Sequence, residues 1–294
     1  MQFNLSYIIA TRNRLPFLRI TLEKLISELD ENEEIVVVDG NSTDGSKEYL
    51  SQLFEAGKIH QFISEPDKNQ AHAWNKAMLM AKGTIIKKII DDDVFCYNAI
   101  RECKNYMLQN LDVDVIISND LVSSLDNYKN IQKQSRLLQF EKWKKGPIPS
   151  FTFGDVHKLI RRSSLAYIGL YNTAYAMMDW EYSLRISYLK CNITYYTGYN
   201  ALTVGHDQTV TSLRNETSIV EQGKRAMVFY EYAGDDAEIS YWSKIKIAIG
   251  KLIYKKAAAN IVNTADISMI YKYYYDHIAA VNKPDDFTFL ESHK

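Results

Sequence analysis

The chain is predicted to be an α/β protein, with a mostly parallel sheet flanked by helices and a helical extension at its C-terminal end. Short apolar segments rich in Ile and Val alternate with amphipathic stretches over the first 120 residues, and this alternation is typical of βαβ units. Polar or acidic residues directly follow three of the apolar segments. The pattern becomes helical and rich in Lys and Tyr after residue 214. We therefore divide the chain into an α/β domain, residues 1–214, and an extension, residues 215–294.

The alternation defines the elements of the first half. Buried strands are predicted at residues 5–10, 34–39, 60–63, 84–90 and 113–118. Helices are predicted between them at residues 17–29, 44–54, 71–81 and 98–110. Further along, residues 158–162 and 193–197 have strand patterns and residues 178–189 a helical one. The pattern weakens over residues 121–146, where 129–145 is predicted to be exposed and charged.

Composition excludes several classes of protein. A net charge of −1 over 294 residues provides no positive field for nucleic acid. No Walker or GxGxxG pattern occurs, which counts against P-loop kinases and dinucleotide oxidoreductases. The three cysteines lack metal-type spacing and favour a reducing cytoplasm. No apolar run approaches about 18 residues, so we expect a cytoplasmic protein, soluble or lying on the inner face of a membrane.

Three polar loops come directly after predicted strands. They are Thr11–Arg14, Asp39–Gly45 and Asp91–Asp93. Each alone is compatible with a turn, a helix N-cap or a solvated loop. In open α/β sheets, however, ligands bind at the carboxyl ends of the strands. Three such loops at one sheet edge favour a binding site.

The acidic run suggests the chemistry of this site. Mg²⁺ and Mn²⁺ prefer oxygen ligands and commonly use one or two carboxylates together with substrate phosphates. Side chains at positions i and i+2 of a loop can converge, so Asp91 and Asp93 are the predicted metal pair. Asp92 would then point elsewhere, for example to a ribose, and Asp39 would accept hydrogen bonds from a ribose or a base.

Four sequence blocks in this order resemble the family 2 glycosyltransferases, which have the GT-A fold. The blocks are residues 6–14 (SYIIATRNR), 35–46 (IVVVDGNSTDGS), 64–77 (SEPDKNQAHAWNKA) and 81–93 (AKGTIIKKIIDDD). A weaker fifth block spans residues 161–185, and the resemblance covers residues 3–210. It implies a nucleotide-sugar-binding half, residues 1–120, and an acceptor half, residues 121–214. The family pattern differs at five positions, which are Ala10, Arg12, Asn69, His72 and Met178; Asn69 replaces a glycine and is expected to tolerate a left-handed backbone.

The resemblance also implies roles for individual residues. Thr11 and Asp39 would contact the uracil and ribose of a UDP-sugar. The complete implied nucleotide-sugar set is Ala10, Thr11, Arg12, Asn13, Asp39, Asp67, Asn75, Asp91 and Asp92. Asp91 and Asp93 would hold Mn²⁺ or Mg²⁺ on the diphosphate, and His206, which follows a predicted strand, is a candidate third ligand, although a lone histidine is more often structural.

The resemblance makes Asp179 the catalytic base. It would take a proton from the acceptor hydroxyl as that oxygen attacks the anomeric carbon, with inversion. Glu181 is the alternative base, and Asp179 could instead cap the helix that begins at residue 180. His157 is a weaker candidate for a residue that faces the acceptor.

The implied activity is transfer of a sugar from a UDP donor to a hydroxyl of a glycan or lipid-linked acceptor in cell-surface polysaccharide synthesis. Two alternatives stay open, a non-catalytic relative that serves as a binding or scaffold subunit and a sugar nucleotidyltransferase. In the extension, Trp242 and Ile245 begin an apolar helix face opposite Lys244 and Lys251. That helix could pack on the domain or dock on an anionic membrane, and Tyr271–Tyr275 could form a homodimer contact.

Overall fold

The computed structural model describes residues 3–206, 216–232, 234, 264–283 and 286–292. Its strands are β1 (Leu5–Thr11), β2 (Glu33–Asp39), β3 (Gln61–Ser64), β4 (Ile85–Ile89), β5 (Val94–Phe95), β6 (Val115–Ser124), β7 (Gln132–Gln134), β8 (Lys158–Arg161), β9 (Ile193–Gly205) and β10 (Phe289–Glu291). Its helices are α1 (Leu15–Glu28), α2 (Ser46–Glu55), α3 (Gln70–Met80), α4 (Tyr97–Gln109), α5 (Leu137–Lys145), α6 (Leu165–Ile168), α7 (Met178–Tyr188), α8 (Glu216–Phe229) and α9 (Thr264–Val281).

The described strands form one mixed sheet, whose main path is β10-β9-β6-β8-β4-β1-β2-β3. Strands β1 to β4 pair in parallel with one another, whereas β8 is antiparallel to both β4 and β6. From β1 the chain adds β2 and β3 on one side and then places β4 on the other side. The topological switch point, where ligands bind in such sheets, therefore lies between the carboxyl ends of β1 and β4.

Both faces of the sheet are covered by helices. Successive side chains of a strand point to opposite faces, and in β1 this sends Tyr7 and Ile9 into a core formed with α1, α2, α4 and α9. Ile8 packs on the other face, into a core formed with α3, α5 and α7. Because both faces are buried, the central strands are continuous apolar runs rather than alternating ones, which is why they are recognisable in the sequence.

The predicted elements of the first half are confirmed to within two residues, except at the end of β6. No element was predicted for residues 121–146, but this segment contains the end of β6, strand β7 and helix α5. Of residues 129–145, which were expected to be exposed, only Phe140 and Trp143 are buried. Helix α5 has only nine residues and buries Phe140 and Trp143, too few apolar positions to show a helical period. Strand β9 extends to Gly205 instead of residue 197, through register shifts against β6 that a simple strand pattern does not predict.

The described part of the C-terminal extension contains a strand as well as helices. Strand β10 pairs antiparallel with β9 at the edge of the sheet, and α9 contacts α1, β5 and β9. Of the proposed dimer contact, Tyr271 and Tyr274 are completely buried inside the chain, whereas Tyr273 is 38% exposed. The predicted amphipathic helix with Trp242, Lys244, Ile245 and Lys251 lies outside the described residues. None of the described helices is long and apolar enough to cross a membrane.

Gly83 lies where the chain enters β4, in direct contact with the backbone of β1. A Cβ atom at this position would lie 2.6 Å from the Ser6 amide nitrogen and 2.7 Å from the Leu5 carbonyl carbon. The Gly83 amide also donates to Ser6 Oγ at 2.8 Å and to the buried Glu34 Oε1 at 3.2 Å. Only a residue without a side chain allows the two central strands this close approach.

We expect Gly83→Ala to lower the free energy of unfolding by about 1–3 kcal/mol, because backbone atoms of β1 cannot move away as a side chain could. Gly223→Ala is the matched control: Gly223 lies inside α8, and a Cβ at this position would have no atom within 4 Å. Alanine there should stabilise the protein by about 0.5–1 kcal/mol. Urea unfolding of both variants measures the difference. Equal effects of the two substitutions would contradict the close approach.

Lys87, in the middle of β4, is buried without a carboxylate partner. Its side chain is completely buried, and its ammonium group donates to the Val156 carbonyl and, at 3.0 Å, to Asn200 Oδ1. Burial lowers the pKa of Lys87 to about 7, since desolvation disfavours the charged form.

This shift predicts a pH dependence of stability. Between pH 7 and about pH 10 the folded protein holds the Lys87 amine neutral, while the unfolded chain still binds the proton. The unfolded state then binds more protons, so the free energy of unfolding should rise with pH in this window, by up to a few kcal/mol. Lys87→Met should remove this rise in urea unfolding measured from pH 7 to 10. Lys82→Met, which removes an exposed lysine, should retain it; an unchanged slope in Lys87→Met would contradict the assignment.

Candidate active site

A cavity of about 690 Å³ opens at the switch point between β1 and β4. One wall is formed by the loop after β1 and by the acidic run after β4, and a second by the start of α3. The remaining walls come from β6 at Asp120, the loop before β8, the end of β9 and the start of α7. Elements from both predicted halves of the domain therefore surround one space.

The three consecutive carboxylates at the end of β4 are buried, with each residue 3–6% exposed, and each has a different partner. Thr11 Oγ1 donates to Asp91 Oδ2 at 2.6 Å. Arg14 Nη1 donates to Asp92 Oδ2 at 2.7 Å, and the Val204 amide donates to Asp93 Oδ1 at 2.8 Å. The acidic loop is thus held by β1, the segment before α1 and β9.

The environments of the three carboxylates differ in charge. Burial and the charge of Asp92 raise the pKa of Asp91 to about 7, and burial with the same neighbour raises the pKa of Asp93 well above its usual value. Burial also opposes ionisation of Asp92, but the hydrogen bond with His206 and the charge of Arg14 outweigh it and lower its pKa. Positive charge of the protein therefore stabilises the Asp92 carboxylate, whereas the negative charges of Asp91 and Asp93 are offset less completely.

The donor set at Asp91 and Asp93 fits a hard divalent cation. Such ions take carboxylate oxygens and complete their coordination with water and substrate phosphate. Among the residues that the structure describes, no three His, Cys, Asp or Glu side chains are grouped so that they could hold an ion; a cation bound by Asp91 and Asp93 would therefore take its other ligands from outside the protein. His206, the predicted third ligand, has Nε2 2.8 Å from Asp92 Oδ2, and its ring stacks on Phe17; its role as a ligand stays a prediction.

Asp39 does not line the cavity. It is completely buried, and its carboxylate accepts hydrogen bonds from the Ser42 amide at 3.0 Å, from the Ser42 hydroxyl, and from Ser64 Oγ at 2.7 Å. In this conformation Asp39 shapes the loop after β2. Direct contact with a nucleoside would require exchange of one of these partners, and its predicted nucleoside role stays a prediction.

The loops after β1 and β2 are joined to each other. The Asn13 amide donates to Ser42 Oγ, and Asn13 Oδ1 accepts from the Thr43 amide, both at 2.8 Å. Asn13 adopts a left-handed backbone with φ of 53°, which asparagine tolerates better than most residues. The predicted pocket residues Ala10, Thr11 and Arg12 line the cavity, whereas Asn13 connects the two loops behind it.

Of the two nucleotide-sugar residues predicted near α3, Asp67 and Asn75, only one lines the cavity. Asp67 lines the cavity, and its Oδ1 lies 2.6 Å from Lys76 Nζ. Asn75 does not line it; this side chain accepts from the Tyr171 amide and donates to the Tyr171 carbonyl, both at 2.9 Å. Asn69, which replaces the family's glycine, is extended with φ of −168°, and its side chain caps α3 by accepting from the His72 amide; the left-handed backbone that it was expected to tolerate is not used.

Asp179 and Glu181 lie in the first turn of α7, in different environments. Asp179 lines the cavity and is half-buried, and within the described residues no hydrogen bond reaches its carboxylate. Glu181 is 1% exposed and is bound by Arg185, at 2.5 and 3.0 Å, and by the Tyr230 hydroxyl. Helix α7 begins at Met178 with Met177 as its N-cap, so Asp179 does not cap it.

Sequence reasoning missed a buried ionic cluster in the cavity wall near Asp179. Asp155 pairs with both Lys88 and Lys158 and accepts from the Tyr171 hydroxyl at 2.8 and 2.9 Å. Burial and the Lys88 charge lower the pKa of Lys158 well below its usual value, while Asp179 acts in the opposite direction. The sequence contained one signal of this cluster, the adjacent Lys87 and Lys88 inside an apolar strand segment. Lysine is rarely buried unless it is paired, so a partner inside the protein could have been expected.

The chain is similar to glycosyltransferases in sequence. Residues 6–169, more than half of the chain, match the family described as Glycosyl transferase family 2. Glycosyltransferase GlyG of Streptococcus pneumoniae is 28% identical over 116 residues, which are 39% of this chain and 38% of that protein. An uncharacterized glycosyltransferase of Nostoc sp., alr2836, is 29% identical over 120 residues, 40% of this chain and 34% of that protein. The chain thus spans little more than a third of either relative.

Solved structures show the same fold at low sequence identity. S. aureus TarS 1-349 in complex with UDP-GlcNAc has a TM-score of 0.58 at 14% identity, covering 94% of this chain and 92% of that one. The mannosyltransferase PcManGT from Pyrobaculum calidifontis, in complex with GDP-Man and Mn²⁺, has a TM-score of 0.57 at 16% identity, covering 97% and 88%. The predicted GT-A fold is confirmed, and the chain belongs to glycosyl transferase family 2.

Proposed function

We propose that this glycosyltransferase moves a sugar from a UDP donor to a hydroxyl group of a glycan or lipid-linked acceptor, with inversion and with Mn²⁺ or Mg²⁺ as cofactor. The acceptor class corresponds to cell-surface polysaccharide synthesis. The observation that carries the proposal is the cavity itself, because Asp91 and Asp93 lie on one wall and Asp179 on another. Two solved structures with the same fold contain UDP-GlcNAc in one case and GDP-Man with Mn²⁺ in the other, which supports a nucleotide-sugar donor.

The donor would enter with its diphosphate at the acidic run and its nucleoside along the loop after β1. Thr11 and Arg12 line that end of the cavity, and Arg12 Cδ lies 3.2 Å from where a Cβ on Gly40 would be. The absence of a side chain at Gly40 thus leaves room for Arg12, whose guanidinium plane could stack on a base. A divalent cation bound by Asp91 and Asp93 would offset the negative charge of the diphosphate leaving group.

Asp179 would perform the proton transfer. The acceptor hydroxyl donates its proton to the Asp179 carboxylate as its oxygen bonds to the anomeric carbon. The bond between that carbon and the diphosphate breaks on the opposite side, which inverts the configuration. Glu181 is unsuited to this role because both of its oxygens are engaged by Arg185, and Tyr230 contacts one of them as well.

A screen of nucleotide sugars by thermal unfolding should identify the donor. A ligand that binds only the folded state raises the midpoint of unfolding. We expect one sugar nucleotide and Mn²⁺ together to raise the midpoint by more than the sum of their separate effects, since the ion would connect the diphosphate to the two carboxylates. Asp91→Asn should abolish this extra shift. A protein that neither binds nor cleaves any nucleotide sugar with Mn²⁺ would favour the binding-subunit alternative.

Paired variants test the base. We expect Asp179→Asn to lower kcat by about 10²–10⁴-fold with little change in unfolding temperature, because this side chain is half-buried and faces the cavity. Glu181→Gln should instead lower the unfolding temperature, since it weakens a buried ion pair, and retain most of kcat. Release of the nucleoside diphosphate in the presence of acceptor measures kcat. The reverse result, a fully active Asp179→Asn and an inactive but folded Glu181→Gln, would exchange the two roles.

A further inference from the structure

His157, directly before β8, is a buried ring in the cavity wall. It is 2% exposed and lines the cavity. The Ser118 amide and the Asn200 side chain donate to its carbonyl at 3.2 and 2.9 Å, so the backbone is fixed by the sheet. A Cβ on Gly154 would lie 2.6 Å from Cδ2 of the ring, which means that the ring packs directly on this glycine.

The polar atoms of this ring lack hydrogen bonds. Nε2 lies 2.8 Å from Asp120 Oδ1, yet neither ring nitrogen makes a hydrogen bond within the described residues. A buried polar atom without a partner is unfavourable, and such atoms in native structures usually have an identifiable reason. Because the ring lies in the cavity wall, its nitrogens can form hydrogen bonds with a molecule that enters the cavity.

The neighbours of His157 are polar and also face the cavity. The Asp120 side chain is 24% exposed, and Thr203 Oγ1 lies 3.4 Å from its Oδ1. Thr203 contacts Asp120, and the next residue of β9, Val204, donates its amide to Asp93, which places Asp120 close to the acidic run. An imidazole, a carboxylate and a hydroxyl therefore share one patch of wall, which we name the His157 patch (Asp120, His157 and Thr203).

The position of this patch restricts what it can contact. In an inverting displacement the anomeric carbon lies between the leaving diphosphate and the acceptor oxygen. With the diphosphate at the acidic run and the acceptor at Asp179, the transferred sugar must lie between these two walls. The loop Gly154–His157 lines this cavity. Asp155 belongs to the cluster near Asp179, whereas His157 contacts Asp120, which β9 holds beside Asp93.

We propose that His157 and Asp120 bind one hydroxyl group of the transferred sugar and select the donor by it. A sugar hydroxyl both donates and accepts, so it can donate to the Asp120 carboxylate and pair with an imidazole nitrogen at the same time. A site that hydrogen-bonds a substrate hydroxyl discriminates strongly against an analogue that lacks it, because its own polar groups are then left unpaired. This inference rests on the proposed function.

A cycle of variants and monodeoxy donors tests the proposal. The wild-type protein, His157→Phe and Asp120→Asn are each assayed for kcat/KM of nucleoside diphosphate release, with the donor found in the screen and its monodeoxy sugar analogues. We expect the wild type to lose about 10- to 100-fold on one deoxy donor. His157→Phe should lose a similar factor on the complete donor but nothing further on that deoxy donor, and penalties for the other deoxy donors should be unchanged.

The controls separate the possible failures. His277→Phe, a half-buried histidine on α9 outside the cavity wall, should leave every kcat/KM unchanged. Thermal unfolding verifies that each variant is folded, and Asp120→Asn provides the same cycle if His157→Phe does not fold. Equal deoxy penalties in the wild type and both variants would overturn the proposal. A wild-type protein that cleaves no donor at all would instead overturn the proposed function.

Discussion

The burial of three consecutive carboxylates at the end of β4 is the constraint on which the arrangement of this domain depends. A buried carboxylate is costly unless it is hydrogen-bonded or paired, and here the partners come from separate segments: Thr11 in β1, Arg14 before α1, and Val204 in β9. Tyr271, on α9, donates to the Asp92 carbonyl as well. Correct pairing of the acidic loop therefore requires the first strand, the first helix, a late strand and the last described helix to be in place together.

The same pairing distinguishes the three carboxylates chemically. Asp92 is stabilised as an anion by Arg14 and His206, whereas burial raises the pKa values of Asp91 and Asp93. In our proposal the protein supplies the counter-charge for one carboxylate and leaves the other two for a cation that arrives with the donor. Such incomplete compensation reduces the stability of the ligand-free fold, and perturbed groups of this kind are concentrated at functional sites.

Strand β4 also contains buried charged side chains in the centre of the sheet. Lys87 points to one face without a carboxylate partner, and Lys88 pairs with Asp155 on the other face, where its ammonium also lies 4.1 Å from the centre of the Trp74 ring. Burying two adjacent lysines in a central strand carries a large desolvation penalty. Lys88 and Asp155 form part of the cavity wall, next to the proposed base and the His157 patch. The free energy spent on burying this ion pair is therefore spent at the site where the sugar would be transferred.

The sequence by itself determined the βαβ order, the strand ends that carry polar loops, and the family, because buried parallel strands are continuous apolar runs and the four motif blocks are local. It also identified Thr11, Asp67, Asp91–Asp93 and Asp179, which line one cavity. The tertiary structure alone decided that Asp39, Asn13 and Asn75 are engaged in holding loops, that Glu181 is locked by Arg185, and that β10 completes the sheet. It also brought His157, Asp120 and Asp155 to the cavity. The contacts of Asn13, Asn75 and β10 join residues far apart in the chain. Asp39 and Glu181 have local partners in Ser42 and Arg185, but each also has a distant one, Ser64 and Tyr230 respectively. No local pattern of residue types encodes which polar side chain finds such a distant partner and which one faces open space.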